Sequence, residues 1–285
     1  MRELRGMSVV NALAEQTKKH IEKLNEKNVI PKLAVVRIGE RKDDISYEKG
    51  IIKRFSAVNA AVDVIALLAE TTQDFLEETI VSLNNDISVN GILLFRPLPK
   101  HLSQERIKEL IAKEKDVDGM GTVNNAYVYE GNKEGYDPCT AQAVIEILDF
   151  YGIDIAGKKI TIIGRSLVVG KPLAMLLLDR NATITICHTK TLNLADECKK
   201  ADILIACAGS ANMVDVGFTH REQVVIDVGI NMVDGKLCGD VHYEAVAENV
   251  AAITPVPGGV GAVTTSVLLK NTVYSAMKTL LYTKQ

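Results

Sequence analysis

Short apolar segments alternate with amphipathic segments along the first half of the chain. Apolar runs of strand length occupy residues 32–38, 62–68 and 91–95. Helical spacing of the apolar positions predicts helices over the intervening and flanking stretches, at residues 8–27, 44–59, 72–84 and 103–112. Parallel strands that alternate with helices require right-handed crossovers, so this half is predicted to form a parallel sheet covered on both faces.

The second half repeats this alternation. Helices are predicted over residues 140–151, 172–179 and 264–282, and strands over 159–163, 182–187, 204–208 and 224–228. Short apolar strands separated by helices are typical of a doubly wound nucleotide-binding domain. With 285 residues the chain is long enough for two α/β domains. We therefore predict two lobes: residues 1–139 plus 264–285, to which the last helix returns, and a Rossmann-type lobe over 140–263.

A strand, a glycine-bounded turn and a helix start follow one another within residues 161–173. Such a turn directs backbone N–H groups and the positive helix end at one point, which suits a phosphate. Five residues separate Gly164 from Gly170, and Pro172 stands where a Walker A loop has its Mg-binding hydroxyl, which argues against a P-loop NTPase. The Rossmann glycine pattern is also unmet, because Ser166 occupies its second position. By itself the loop favours a dinucleotide site over an ordinary strand-to-helix turn.

The end of the following strand bears on the choice of cofactor. An NAD site usually places an acidic residue about 20 residues beyond the glycine loop, on the ribose 2′-hydroxyl. Here that region reads His188, Thr189 and Lys190, without a carboxylate. Lys190, the Thr189 hydroxyl and Arg165 in the turn suit a 2′-phosphate instead. We therefore expect NADP, with NAD still possible.

The charge balance, the hydropathy and the cysteines limit the kinds of ligand and partner that we expect for this chain. Lys and Arg number 33 against 36 Asp and Glu, without a basic stripe, so we expect a small-molecule ligand rather than nucleic acid. No apolar stretch reaches about 18 residues, which favours a cytoplasmic protein without a membrane partner. The five cysteines form no CxxC pair, so we expect neither a metal site nor disulfides.

Several motifs together resemble one enzyme family over essentially the whole chain. They are Pro97-Leu98-Pro99, Lys115 to Gly119, Pro138-Cys139-Thr140, Gly164 to Ser166 with Val169 to Pro172, and Thr254 to Gly261. This set resembles the methylenetetrahydrofolate dehydrogenase/cyclohydrolase family. The resemblance implies a folate-binding lobe formed by residues 1–139 plus 264–285, a Rossmann NADP lobe over 140–263, hydride transfer in one-carbon metabolism, and usually a homodimer.

The resemblance also implies roles for particular residues. Tyr47 matches a catalytic, substrate-binding tyrosine, and Asp118 matches the carboxylate that binds the pterin ring, which we also count as catalytic. Pro257, Gly258 and Gly259 are expected to line the folate site. The cofactor-binding set is Gly164, Arg165, Ser166, Gly170, Thr189, Lys190 and Ile230, the last in a loop that passes the nicotinamide. Each has a plainer interpretation: an amphipathic helix residue, a turn-forming acid, a rigid connector or a solvated loop.

Four positions depart from the family pattern: Asp44 stands for its serine, Ala262 for its proline, and the other two are catalytic positions. The family places a lysine one helical turn after the tyrosine and a glutamine at a strand end, but this chain has Ile51 and Phe95 there, with Arg96 next to Phe95. A helix turns by about 100° per residue, so Lys49 and Lys53 lie about 200° and 240° away from Tyr47 around the helix.

These departures bear on one of the two family reactions. Hydride transfer depends mainly on alignment with the nicotinamide, whereas hydrolysis of the methenyl cation needs acid–base groups that contribute about 10²- to 10⁴-fold. We expect a dehydrogenase whose cyclohydrolase step is weak or absent. Two alternatives stay open: a fully bifunctional enzyme that uses Lys49 or Lys53, and a non-catalytic folate or nucleotide sensor.

Overall fold

The computed structural model describes residues 1–282; residues 283–285, the end of the predicted segment 264–285, lie outside the described part. The chain forms two compact units. We call them the three-stranded unit (Ala12–Cys139 and the chain from Thr265) and the six-stranded unit (Met1–Asn11 and Thr140–Thr264). Both are built from parallel sheets and helices, which confirms the predicted α/β class.

The bounds of the strands and helices are as follows. The strands are β1 (Arg2–Glu3), β2 (Lys32–Ile38), β3 (Ala61–Leu67), β4 (Gly91–Leu94), β5 (Lys159–Ile163), β6 (Thr183–Cys187), β7 (Ile203–Ala206), β8 (Val224–Asp227), β9 (Asn231–Val233), β10 (Lys236–Cys238) and β11 (Ala252–Ile253). The α-helices are α1 (Gly6–Asn25), α2 (Lys42–Ser56), α3 (Gln73–Asn85), α4 (Gln104–Leu110), α5 (Thr122–Glu130), α6 (Cys139–Phe150), α7 (Gly170–Leu178), α8 (Leu194–Lys199), α9 (Tyr243–Ala247) and α10 (Val260–Tyr282), and a short 3₁₀ turn covers Val216–Phe218.

The three-stranded unit has the strand order β3-β2-β4, all parallel. The central strand β2 is buried almost along its whole length, as its continuous apolar run predicts. Its Val36 packs with Leu94 of β4 and Ile80 of α3 in one core cluster. The last helix returns to this unit as predicted, and Asn271 in it donates a hydrogen bond to the Val117 carbonyl at 2.9 Å.

The six-stranded unit has the parallel order β1-β11-β8-β7-β5-β6. The four strands predicted from the sequence are present, and β1 and β11 are additions of two residues each, too short to show a periodic pattern. Arg2 of β1 pairs with Ala252 of β11. This pairing groups residues 1–11 with the six-stranded unit, whereas the sequence analysis placed them in the other lobe.

Several short elements carry no clear apolar stripe and were not predicted. The helix α5 has nine residues, and α8, α9 and the paired strands β9 and β10 have three to six residues each. The last helix begins at Val260, four residues before the prediction. Across residues 1–282, no helix combines the length and apolar character needed to cross a membrane.

Candidate functional site

The turn after β5 in the six-stranded unit depends on two glycines. Gly164 has φ of +136°, and a Cβ there would overlap the Cys207 carbonyl oxygen and lie 2.8 Å from the Cys207 sulfur. A Cβ on Gly170 would overlap the Gly164 carbonyl oxygen. The strand end therefore lies directly against both the first residue of α7 and the end of β7. This close backbone approach leaves no room for any larger residue at either position.

Ser166 closes the same turn. Its Oγ accepts a hydrogen bond from the Val169 backbone N–H at 3.1 Å, and its carbonyl accepts one from Lys171 at 3.0 Å. The side chain is exposed and keeps its own O–H proton to donate. The serine thus stabilises the turn and presents a donor at the start of α7, where the helix dipole favours an anion.

The cationic side chains predicted to bind the cofactor lie at the same edge of the sheet. Ile163 of β5 pairs with Cys187 of β6, so Arg165 and Lys190 both follow paired strand ends. The Lys190 backbone N–H donates to His188 Nδ1 at 3.1 Å, which fixes the turn that carries Thr189. Within residues 1–282 neither cation has a carboxylate partner within ion-pair distance, and both are exposed. Two uncompensated cations beside a glycine turn fit a phosphorylated dinucleotide.

Two buried aspartates organise the loops at the carboxyl ends of β7 and β8. Asp240 accepts hydrogen bonds from the backbone N–H groups of residues 208–210, at 2.6 to 3.0 Å. Asp227 accepts from Gly229, Asp240 and Val241 at 2.9 to 3.0 Å, and burial raises its pKa to about 6. Sequence reasoning named neither Asp227 nor Asp240 as a site residue, because neither lies in a recognisable motif.

The Pro/Gly loop of residues 254–261 belongs to the six-stranded unit. Thr254 Oγ1 accepts a hydrogen bond from the Asp227 backbone N–H at 2.7 Å, and the Gly258 carbonyl accepts one from Gly6 at 2.8 Å. Pro257 and Gly258 are exposed, whereas Gly259 is buried. The exposed Ile230 side chain lies beside Gly261. The loop is thus anchored at both ends and presents Pro257 and Gly258 to solvent, with Ile230 next to it.

In the three-stranded unit, Tyr47 of α2 stacks on Phe95, which follows β4. The ring centroids are 5.6 Å apart with an angle of 29° between the ring planes. Tyr47 is 37% exposed, yet desolvation raises the pKa of its hydroxyl, and the neighbouring Asp118 charge adds to the shift. The hydroxyl therefore stays protonated near neutral pH and can donate a hydrogen bond.

The position one turn after Tyr47 faces the core. Ile51 is completely buried, whereas Lys49 and Lys53 are exposed on the other side of α2. Neither lysine forms a hydrogen bond with Tyr47 in the described part of the chain. The helix therefore has no register shift that would bring an ammonium group to the tyrosine.

The two aspartates of the loop after α4 have different surroundings. Asp116 accepts hydrogen bonds from the backbone N–H groups of Met120 and Gly121 and from Asn124, at 2.8 to 3.0 Å, so it holds the loop together. Asp118 instead accepts from Arg96 Nη2 at 2.9 Å. Asp118 also lies near Tyr47, where its charge raises the pKa of the tyrosine hydroxyl. Arg96 was noted in the sequence without an assigned role.

The predicted site residues thus fall into two groups. The three-stranded unit brings Tyr47 and Asp118 into one neighbourhood. The six-stranded unit holds the rest: Gly164, Arg165, Ser166, Gly170, Thr189, Lys190, Ile230, Pro257, Gly258 and Gly259.

A parallel six-stranded sheet with a glycine turn at a helix start, joined to a second parallel α/β unit, defines a class of two-domain nucleotide-binding enzymes. Two family models match nearly the whole chain. Residues 4–118 match the tetrahydrofolate dehydrogenase/cyclohydrolase catalytic domain, and residues 138–280 match the NAD(P)-binding domain of the same family. The chain belongs to the tetrahydrofolate dehydrogenase/cyclohydrolase family, which confirms the resemblance seen in its motifs.

Curated relatives and solved structures support the same family membership. The chain is 49% identical over 271 residues to the bifunctional protein FolD of Clostridioides difficile, covering 95% of this chain and 94% of that protein. It is similar to the crystal structure of the bifunctional FolD enzyme of Campylobacter jejuni, with 38% identity, a TM-score of 0.95, and coverage of 98% and 99% of the two chains. The FolD of Trypanosoma brucei, solved with NADP and an inhibitor, is 33% identical with a TM-score of 0.92, covering 97% of each chain.

Proposed function

We propose that this chain is an NADP-dependent methylenetetrahydrofolate dehydrogenase whose cyclohydrolase step is weak or absent. The weak or absent cyclohydrolase step is supported by one observation: Ile51, one turn after Tyr47, is fully buried, and Phe95 stacks on the tyrosine ring. The NADP-dependent dehydrogenase activity is supported by family membership and by the match to the NAD(P)-binding domain.

The residues of the three-stranded unit suit binding of a folate. The Asp118 carboxylate is the acceptor for the amino and N–H edge of the pterin ring, a two-point contact that a carboxylate matches. The stacked Tyr47 and Phe95 rings offer an aromatic face. Oxidation of the methylene bridge leaves a resonance-stabilised cation, so this step needs alignment more than a proton donor.

The residues of the six-stranded unit suit NADP. We assign Gly164, Ser166 and the start of α7 to the pyrophosphate, and Arg165 and Lys190 to the 2′-phosphate. Bound NADP supplies the hydride acceptor. The NADP complex of the Trypanosoma brucei relative supports NADP over NAD.

Among the described residues near Tyr47, three titratable groups were candidates for the base in methenyl hydrolysis, and none is suited to it. The Tyr47 hydroxyl has a raised pKa, and Asp118 is paired with Arg96. Burial raises the pKa of the Cys139 thiol well above its ordinary value. Since general acid–base groups contribute about 10²- to 10⁴-fold, we expect hydrolysis to be slower by a factor in this range than in a site that has such groups.

The alternative of a fully bifunctional enzyme is favoured by one observation, the bifunctional names of the relatives. It would require Lys49 or Lys53 to reach the bound substrate, although both are exposed away from Tyr47. The homodimer implied by the resemblance stays a prediction.

A two-wavelength assay tests the proposal. The purified protein receives methylenetetrahydrofolate and NADP, and the formation of NADPH and of methenyltetrahydrofolate is followed separately. We expect the two to rise in equal amounts, and added methenyltetrahydrofolate to decay at the rate seen in buffer. Enzyme-dependent decay well above that rate would contradict the proposal, and its loss in Lys49→Met or Lys53→Met would identify the lysine. Substrate binding without NADPH formation would favour the non-catalytic sensor.

A further inference from the structure

Arg96 forms a partly buried ion pair with the carboxylate assigned to the pterin ring. It follows Phe95 directly after β4, and its Nη2 donates to Asp118 Oδ2 at 2.9 Å. The two side chains are 21% and 17% exposed. This shielding makes the contact stronger than a surface ion pair. The family motifs and the roles implied by them leave this arginine without a function.

We propose that Arg96 is the positioning residue for Asp118: its guanidinium keeps the carboxyl group ionised and oriented to accept hydrogen bonds from the pterin ring. The inference rests on the proposed function of this site.

The surroundings of Asp118 explain why it needs a cation. Tyr47 from α2, Cys139 at the start of α6 and Asp116 from the same loop all face this carboxyl group, and none of them is cationic. Burial raises the pKa of Asp118; the charge of Arg96 opposes that shift most, and hydrogen bonds from Cys139 and from Arg96 add to the opposition. A protonated carboxyl loses acceptor capacity, so it would present a poorer partner to the two N–H donors of a pterin.

Loss of Arg96 would leave the loop itself intact. The loop is held by Asp116, through Met120, Gly121 and Asn124, and Arg96 takes no part in those contacts. An Arg96 variant therefore tests the state of Asp118 and not the folding of its loop.

The experiment is calorimetric binding of tetrahydrofolate to Arg96→Gln, Arg96→Lys and the wild type, from about pH 6 to about pH 8.5. Below the pKa of a carboxyl group its ionised fraction falls about tenfold per pH unit. We expect Arg96→Gln to bind about tenfold or more weakly at the acid end and to recover as the pH rises. Arg96→Lys should restore most of the affinity. The matched control is Arg106→Gln, which removes an exposed Arg–Glu77 pair of the same unit and should follow the wild type.

A double-mutant cycle with Asp118→Asn separates positioning from direct contact. If Arg96 acts through Asp118, Arg96→Gln has no further effect on Asp118→Asn. An additive loss, or a pH profile for Arg96→Gln that follows the wild type, would overturn the inference. Denaturant unfolding of each variant checks that the three-stranded unit, which contains the substitutions, is folded. Tetrahydrofolate binding is measured without turnover. If the wild type is catalytically inactive but the pH dependence of its tetrahydrofolate binding still depends on Arg96, the proposed reaction is wrong and the role of Arg96 stands.

Discussion

The turn after β5 allows a quantitative prediction, because the structure shows how little room Gly164 has. In Gly164→Ala the new Cβ overlaps the Cys207 carbonyl oxygen and lies 2.8 Å from its sulfur, while φ stays at +136°. A backbone conformation that L-residues rarely adopt costs about 1–3 kcal/mol. Steric overlap with a neighbour that cannot move freely adds about 1–3 kcal/mol. We therefore expect a loss of about 2–6 kcal/mol in the stability of the six-stranded unit.

The same substitution should weaken NADPH binding at least tenfold, since the end of β5 and Cys207 after β7 must separate to accommodate the methyl group. Gly157→Ala is the matched control: it also has positive φ, at +75°, but a Cβ there would meet nothing within 4 Å. Only the conformational cost of about 1–2 kcal/mol applies to it. Urea denaturation and fluorescence titration with NADPH measure both quantities. If the two variants match in stability and affinity, the packing argument is refuted.

Two further predictions concern charge. Replacing Arg165 and Lys190 together by Gln should weaken NADPH binding about tenfold or more, because the 2′-phosphate loses its cationic partners. NADH has no 2′-phosphate, so its binding should stay nearly unchanged. Equal losses of affinity for both nucleotides in parallel titrations would argue against the assignment of these two residues to the 2′-phosphate. Asp116→Ala should destabilise the three-stranded unit by about 3 kcal/mol, because it leaves three buried donors unpaired, as denaturant unfolding would show. Asp86→Ala, at an exposed turn, serves as the control, and a similar loss there would contradict the reasoning.

The reaction expected of this chain depends on which cationic side chains lie near Tyr47 and Asp118. Ile51 is buried and Lys49 and Lys53 are exposed, so neither of these two lysines stands at the tyrosine. The cation of the three-stranded unit's site is Arg96, paired with the carboxylate of Asp118. A guanidinium group has donors but no acceptor, so it cannot take a proton from water as a general base does. It suits orientation and charge balance, and it does not replace a group that activates water.

Local pattern was sufficient for much of the fold. The run 32–38 predicts β2 to the residue because a continuous apolar segment of that length is buried on both faces of a parallel sheet. Thr72 before α3 indicates a helix start, and its Oγ1 accepts the Phe75 backbone N–H at 3.3 Å. The glycine spacing at 164 and 170 likewise located the turn after β5. These features depend on neighbours within a few residues, which the sequence displays directly.

The tertiary structure alone decided the contacts between distant residues. Arg96 and Asp118 are 22 positions apart, and Asp240 reaches the N–H groups of residues 208–210 about thirty positions away. The two-residue strand β1 exists only because Arg2 pairs with Ala252. No local periodicity records such pairings, since each depends on where separate loops are carried by the sheet. The sequence by itself therefore determined the class, the family motifs and the missing lysine and glutamine, and only the folded chain showed which charge stands beside Asp118.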